Sequence, residues 1–184
     1  MKDEISVSLC RNMTDKQPVT VPMSTVINLI QTDPSAKEST EKFRYYESTG
    51  LSKEATQEKK RARQFIPSVI CEGGTDAANI KSHTGLGMGD IDDLPPECMD
   101  KYMKLLEEDP YTYLAYRTYS GTGIRIIYRT DASNLLQHPG VFDTGNKYFS
   151  ALLEGHGFDP HCKNPNRKSA ICHDPHPIYN LSLI

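Results

Sequence analysis

The sequence predicts an α/β (α+β) domain, a small sheet flanked by helices, and three observations carry that reading. Apolar residues switch between alternate spacing and helical spacing along the chain. The two patterns take turns instead of clustering in separate halves, as strands and helices do when they share one sheet. A length of 184 residues, with 37% hydrophobic and 24% charged, is enough for one core of ordinary size.

The first segment with a clear signal is 24–31, where Ser24 is placed to cap a short helix that Pro34 closes. Residues 36–64 are polar and charged, and Gly50 divides them into two helices. Residues 65–70 then read as a strand, and Pro67 marks it as an edge strand because proline cannot donate to a central ladder. After Gly73-Gly74 comes 84–92, in which Leu86, Met88 and Asp90 alternate with glycines. That pattern predicts a buried strand with close backbone neighbours. Met99, Tyr102, Met103, Leu105 and Leu106 give 97–108 an apolar helical face. Strands follow near 112–118 and 123–130, then a helix over 141–156 and a short strand at 168–172 in an otherwise irregular end. The division expected is 1–64 as a helical, mixed portion packed on a 65–184 core.

No apolar run approaches the roughly 20 residues that cross a bilayer, so no membrane partner is expected. The N-terminus, Met-Lys-Asp-Glu-Ile-Ser, has no apolar signal core, which makes a cytoplasmic location the expectation. Five scattered cysteines, an odd number, argue against a disulfide framework. A net charge of −3 does not advertise a nucleic-acid binder, yet local distribution matters more than the total. Lys59, Lys60, Arg61 and Arg63 form one dense basic cluster, either a solvated helix face or a strand-binding patch.

Three motifs carry chemistry. Asp90-Ile91-Asp92 on a strand sends both carboxylates to one side. Such neighbours repel unless a cation sits between them, and Mg²⁺ or Mn²⁺ prefers oxygen ligands of this kind. The alternative is an ordinary exposed acidic pair. Ser120-Gly121-Thr122-Gly123-Ile124-Arg125 has small residues that let backbone N–H groups approach a phosphate, with a cation two positions on. Its bland reading is a hairpin turn. Gly157-Phe158-Asp159-Pro160, followed by Lys163 and Arg167, offers a third carboxylate and two cations, or else an Asp that caps a turn. His161, Cys162, Cys172, His173 and His176 are also close in sequence. Zinc there is the less favoured reading, because the pairs are adjacent and lack the usual two-residue gap.

In this order the motifs resemble the archaeo-eukaryotic primase (primase-polymerase) superfamily, and within it the primase-like N-terminal domain of VirE-type mobile-element proteins. The resemblance spans roughly 60–180 and rests on the ordered combination of motifs. It implies a primase-polymerase-like fold with an RNA-recognition-motif-like catalytic sheet. Asp90, Asp92 and Asp159 would be the catalytic residues and the ligands of a two-metal Mg²⁺ or Mn²⁺ site. Ser120, Gly121, Gly123, Arg125 and Arg167 would hold the incoming nucleotide. Lys59, Lys60, Arg61, Arg63 and Lys163 would meet nucleic acid. Many members have His where this chain has Arg125; arginine can clamp phosphate but cannot shuttle a proton. The partners implied are nucleoside triphosphates, a single-stranded DNA template and a helicase-like domain or protein. The reaction implied is primer synthesis or strand extension. Two readings compete with it: an inactive nucleotide- or DNA-binding module, and a sugar-nucleotide transferase built on Asp-X-Asp.

Overall fold

A computed structural model describes residues 4–180. Met1–Asp3, part of the stretch read for a signal core, and 181–184 at the chain end lie outside the described residues. The elements run β1 (Ser6–Cys10), β2 (Val19–Pro22), α1 (Met23–Thr32), α2 (Pro34–Ser48), α3 (Ser52–Arg61), β3 (Gln64–Ile66), β4 (Val69–Cys71), β5 (Ile80–His83), β6 (Leu86–Ile91), α4 (Pro96–Glu108), β7 (Thr112–Arg117), β8 (Ile124–Arg129), α5 (His138–Leu152), β9 (Ser169–Ala170) and β10 (Ile178–Tyr179). Every strand pairing is antiparallel. The mixed α/β class expected from the alternation is what the chain adopts.

Two four-stranded sheets organise it, in the orders β2-β1-β3-β9 and β10-β7-β8-β6, beside the β4-β5 hairpin. In the second sheet β8 lies between β6 and β7, so β6-α4-β7 is a split βαβ unit. One apolar cluster runs from Val7 and Ile30 through Ile127 to Cys172 and joins the two sheets. The expected boundary at 64/65 falls inside β3, which pairs with β1 on one side and β9 on the other.

Several local expectations are refined. The first helix starts at Met23, and its first-turn Ser24 amide is met by Glu4 Oε1 at 2.9 Å, so Ser24 is not its cap. Asp33 separates α1 from α2 and caps the latter through Ser35 N–H. Gly50, at φ +75°, breaks the polar helices as expected. The 65–70 strand is two strands, β3 and β4, interrupted at Pro67-Ser68. The last expected helix starts earlier and stops sooner, at Leu152, because Glu154 and Gly155 take positive φ. β1, β2, β5 and β10 were not anticipated.

The glycines of β6 explain how helices sit on this sheet. A Cβ on Gly87 would stand 2.4 Å from the Tyr128 ring, and one on Gly89 would stand 2.3 Å from the Phe158 ring. Phe149 of α5 completes the stack, with centroids 5.2 Å from Tyr128 and 5.7 Å from Phe158. The bare glycine face of β6 therefore receives aromatic rings, while its other face carries Leu86, Met88 and Asp90.

Candidate functional site

The glycine face of β6 also fixes the third carboxylate. With Phe158 seated over Gly89, the next residue falls in line with the strand, and Asp159 N–H donates to Asp90 C=O at 2.8 Å. Asp159 Oδ1 accepts from His161 N–H at 3.0 Å and lies 2.8 Å from His161 Nδ1. Burial works against its charge, but these His161 hydrogen bonds and charge bring its pKa below the ordinary value. Asp159 thus caps a turn and also stands beside Asp90.

Asp90 is the last inward-facing residue of β6 and is 8% exposed. In the ladder it lies opposite Arg125 of β8, and its Oδ2 accepts from Arg125 Nη2 at 2.5 Å. Its other oxygen, Oδ1, is buried with no hydrogen-bond partner. Arg125 also donates to Ser169 Oγ of β9 at 2.6 Å, so the pair is clasped between the two sheets. Burial opposes the Arg125 charge, yet Asp90 raises its pKa above the ordinary value. Arg125 is 8% exposed as a residue, and its guanidinium pairs with the Asp90 carboxylate.

Asp92 lies past the end of β6 and is exposed as a residue, so the two carboxylates do not share a strand face. Asp93, at φ 54°, turns the chain there. The Asp92 pKa is raised, first by burial of its carboxyl and then by the charge of Asp90; Arg125 and Lys59 oppose the rise, and Asp159 adds to it. The three carboxylates therefore share one field.

The Ser120–Gly123 turn abuts this acidic edge. A Cβ on Gly123 would stand 2.6 Å from Ile91 C=O and 3.2 Å from Asp92 Oδ1, so only glycine lets the turn approach. Gly121 takes φ +78°. The turn's amides are largely used internally: Gly121 N–H donates to Thr118 C=O at 3.0 Å and Thr122 N–H to Ser120 Oγ at 3.2 Å.

The cation beside the turn is one that sequence reasoning missed. Arg44 of α2 donates from Nε to Tyr119 C=O at 3.0 Å, and its Nη2 stands 3.4 Å from where a Gly121 Cβ would be. Ser39 and Phe43 hold α2 there, through the Tyr119 hydroxyl at 3.1 Å and a ring contact at 5.2 Å. Arg44 is exposed, with no carboxylate partner among the described residues. The signal in the sequence was faint: Ser39 and Phe43, four apart, share one face of a helix otherwise read as solvated, and Arg44 follows them in the chain.

The remaining predicted residues scatter. Lys59 and Lys60 are exposed at the end of α3, and only Lys59 acts on the acidic edge. Arg61 pairs with Glu58 at 3.5 Å and Arg63 pairs with Asp33. Lys163 lies 3.6 Å from Asp143 and over the Phe142 ring at 5.2 Å. Arg167 is exposed, acts on Asp159 and lines a polar hollow with Lys16 and Lys168. In the His/Cys group, Cys172 Sγ donates to Arg117 C=O at 3.2 Å and His173 Nδ1 lies 3.1 Å from Ile30 C=O.

Among the described residues, no three His, Cys, Asp or Glu side chains are gathered closely enough to hold an ion as they stand. The donor chemistry nonetheless suits a hard cation at Asp90 and Asp92: all oxygens, one of them buried without a partner.

Fold and site define an antiparallel α+β domain whose central hairpin ends in an acidic edge. A family model described as BT4734-like, N-terminal domain, matches residues 57–179, and the chain belongs to that family. Among solved structures, the AEP domain of the cyanophage S-2L primase-polymerase is similar at 15% identity and a TM-score of 0.45, covering 100% of this chain and 85% of that one. At that distance the likeness transfers no residue role. No curated protein matches the chain at a significant level. No helix among the described residues is long and apolar enough to cross a membrane.

Proposed function

We propose that this domain is a metal-dependent nucleotidyltransferase of the primase-polymerase type, acting on a single-stranded DNA template. The observation that carries this is convergence: Asp159 N–H bonds Asp90 C=O, and the Ser120–Gly123 turn packs within reach of Asp92 Oδ1. Three motifs far apart in sequence thereby meet at one edge, in the order that resembles the primase superfamily.

Asp90 Oδ1, Asp92 and Asp159 are the residues that would hold Mg²⁺ or Mn²⁺. Bound divalent ions would supply charge neutralisation for the carboxylates and for a triphosphate. The chain's own contribution is positioning and electrostatics. Arg125 fixes the Asp90 carboxyl by pairing with its Oδ2. Arg44 and Lys59 place positive charge on the side of the acidic edge where the Ser120 and Thr122 hydroxyls stand, a setting for phosphate oxygens. Lys60 and Lys163 lie outside this cluster, Arg167 acts on its Asp159, and all three suit a template strand. A helicase-like neighbour remains an expectation of the resemblance.

The test is incorporation of labelled nucleotides on primed and unprimed single-stranded templates with Mg²⁺ or Mn²⁺. Product with the wild type and at least a hundredfold less with Asp92→Ala is the expected result. Nucleotide binding with no product under any metal would instead assign a binding module, the reading favoured by the Arg125 claim on one Asp90 oxygen.

A further inference from the structure

At the opposite end of β8 from Asp90 the described residues line an open cavity of about 860 Å³ between β8, the chain entering β6, and α5. Its size falls in the range of small-molecule sites. Tyr111 and Tyr148 stand at its wall as an edge-to-face pair, centroids 5.2 Å apart, and both remain partly exposed. Thr130 and Gln137 add polar groups, and two charged residues, Arg129 and Asp131, are part of its lining.

Arg129 is unlike the protein's other arginines. Its guanidinium lies over the Tyr113 ring at 4.7 Å, yet Nε and Nη2 are buried with no hydrogen-bond partner. The Tyr113 hydroxyl beneath is equally unpartnered. No carboxylate pairs with Arg129 among the described residues, although Asp131 sits at the same rim. Burial pulls the Arg129 pKa below its ordinary value. Donor atoms buried without an acceptor are costly, and two of them on a residue that lines the cavity suit an anion.

We propose that this cavity binds one nucleotide unit, with its phosphate on Arg129 and its base against Tyr111 and Tyr148. The anion answers the unpaired guanidinium. The flat, partly exposed rings suit a base face, and the threonine and glutamine groups suit a base edge. The unit comes either as a free nucleoside monophosphate or as one residue of a single strand. The site stands apart from the acidic edge: Arg129 is four residues along β8 from Arg125, about 13 Å at a strand's rise. It does not depend on transfer at Asp92.

The probes are the four deoxynucleoside 5′-monophosphates, titrated calorimetrically into the full chain, with a 5′-phosphorylated thymidine hexamer as competitor. Two variants report on the site. Arg129→Met removes the charge at similar length. Gly140→Leu fills the cavity from α5, where no atom lies within 4 Å of the added Cβ. At least one monophosphate should bind, each variant should weaken it tenfold or more, and Asp92→Ala should leave it unchanged. The hexamer binding when no monophosphate does, with the same loss in both variants, assigns the strand as the source. Binding of neither probe overturns the proposal, as does binding that survives both variants or disappears only with Asp92→Ala. That last result would belong to the acidic edge alone.

Discussion

Arg125 and Arg129 leave the same face of β8 four residues apart, and their surroundings could hardly differ more. Arg125 has Asp90 across the ladder and Ser169 from the other sheet. Arg129 has an aromatic ring beneath it and no acceptor. One strand thus carries a cation whose role is spent inside the protein and another left open to something outside it. A cation paired inside the protein belongs to the architecture, whereas one with two buried donors lacking an acceptor is where the proposed anion would sit.

The comparison breaks most sharply at the paired end. Arg125→Ala would leave Asp90 buried with its charge uncompensated, and urea denaturation should show a loss of about 3–5 kcal/mol. Adding Asp90→Leu to Arg125→Met should restore most of it, since an apolar pair of similar volume avoids both desolvation costs. A smaller effect is expected at Gly89. Its alanine would press on Phe158, cost about 1–3 kcal/mol and shift Asp159 relative to Asp90. An amide chemical-shift change at Asp159 is the measurement that checks the second half.

Acidity probes the open end by way of its neighbours. His83 Nε2 lies 3.0 Å from His138 Nδ1, and His83 Nδ1 accepts from Gly85 N–H at 3.0 Å. Burial lowers the pKa of both rings below 6.5, and for His138 the charge of His83 adds to this. The unfolded chain therefore binds protons first as the pH falls through 6.5, so stability is full above that value and declines below it. The midpoint of urea unfolding should fall between pH 7 and pH 5.5, and His138→Gln should flatten that slope. The least effect on stability belongs to Arg129→Met, within about 0.5 kcal/mol of the wild type, because the side chain gives up no hydrogen bond.

Much of the frame was legible in the sequence. Long segments with strong periodicity, such as α4, β7 and β8, emerged within a residue or two of expectation. β9 and β10 are two residues each and exist only because β3 and β7 stand ready to pair with them. The strand expected at 168–172 contains β9, whereas no local pattern announces β10. Within the site, proximity was legible and partnership was not. The order of the motifs placed Asp90, Asp92 and Asp159 at one edge, but nothing in the spacing said that Arg125 would turn to Asp90. That choice follows from ladder register, a property of two strands together. Arg44 escaped notice for the same reason, since its meaning comes from the turn it covers.

The short strands β9 and β10 have one more consequence. Each closes a different sheet, and both come from the final stretch of the described chain. Asp174 of the same stretch accepts from Arg117 N–H at 2.8 Å and donates its own amide to Ile30 C=O at 3.1 Å. During synthesis, Asp90 and Arg125 leave the ribosome well before Ser169, the residue that clasps them from the other sheet. A chain cut before β9 therefore lacks an outer strand of each four-stranded sheet, together with the serine that clasps the Asp90–Arg125 pair.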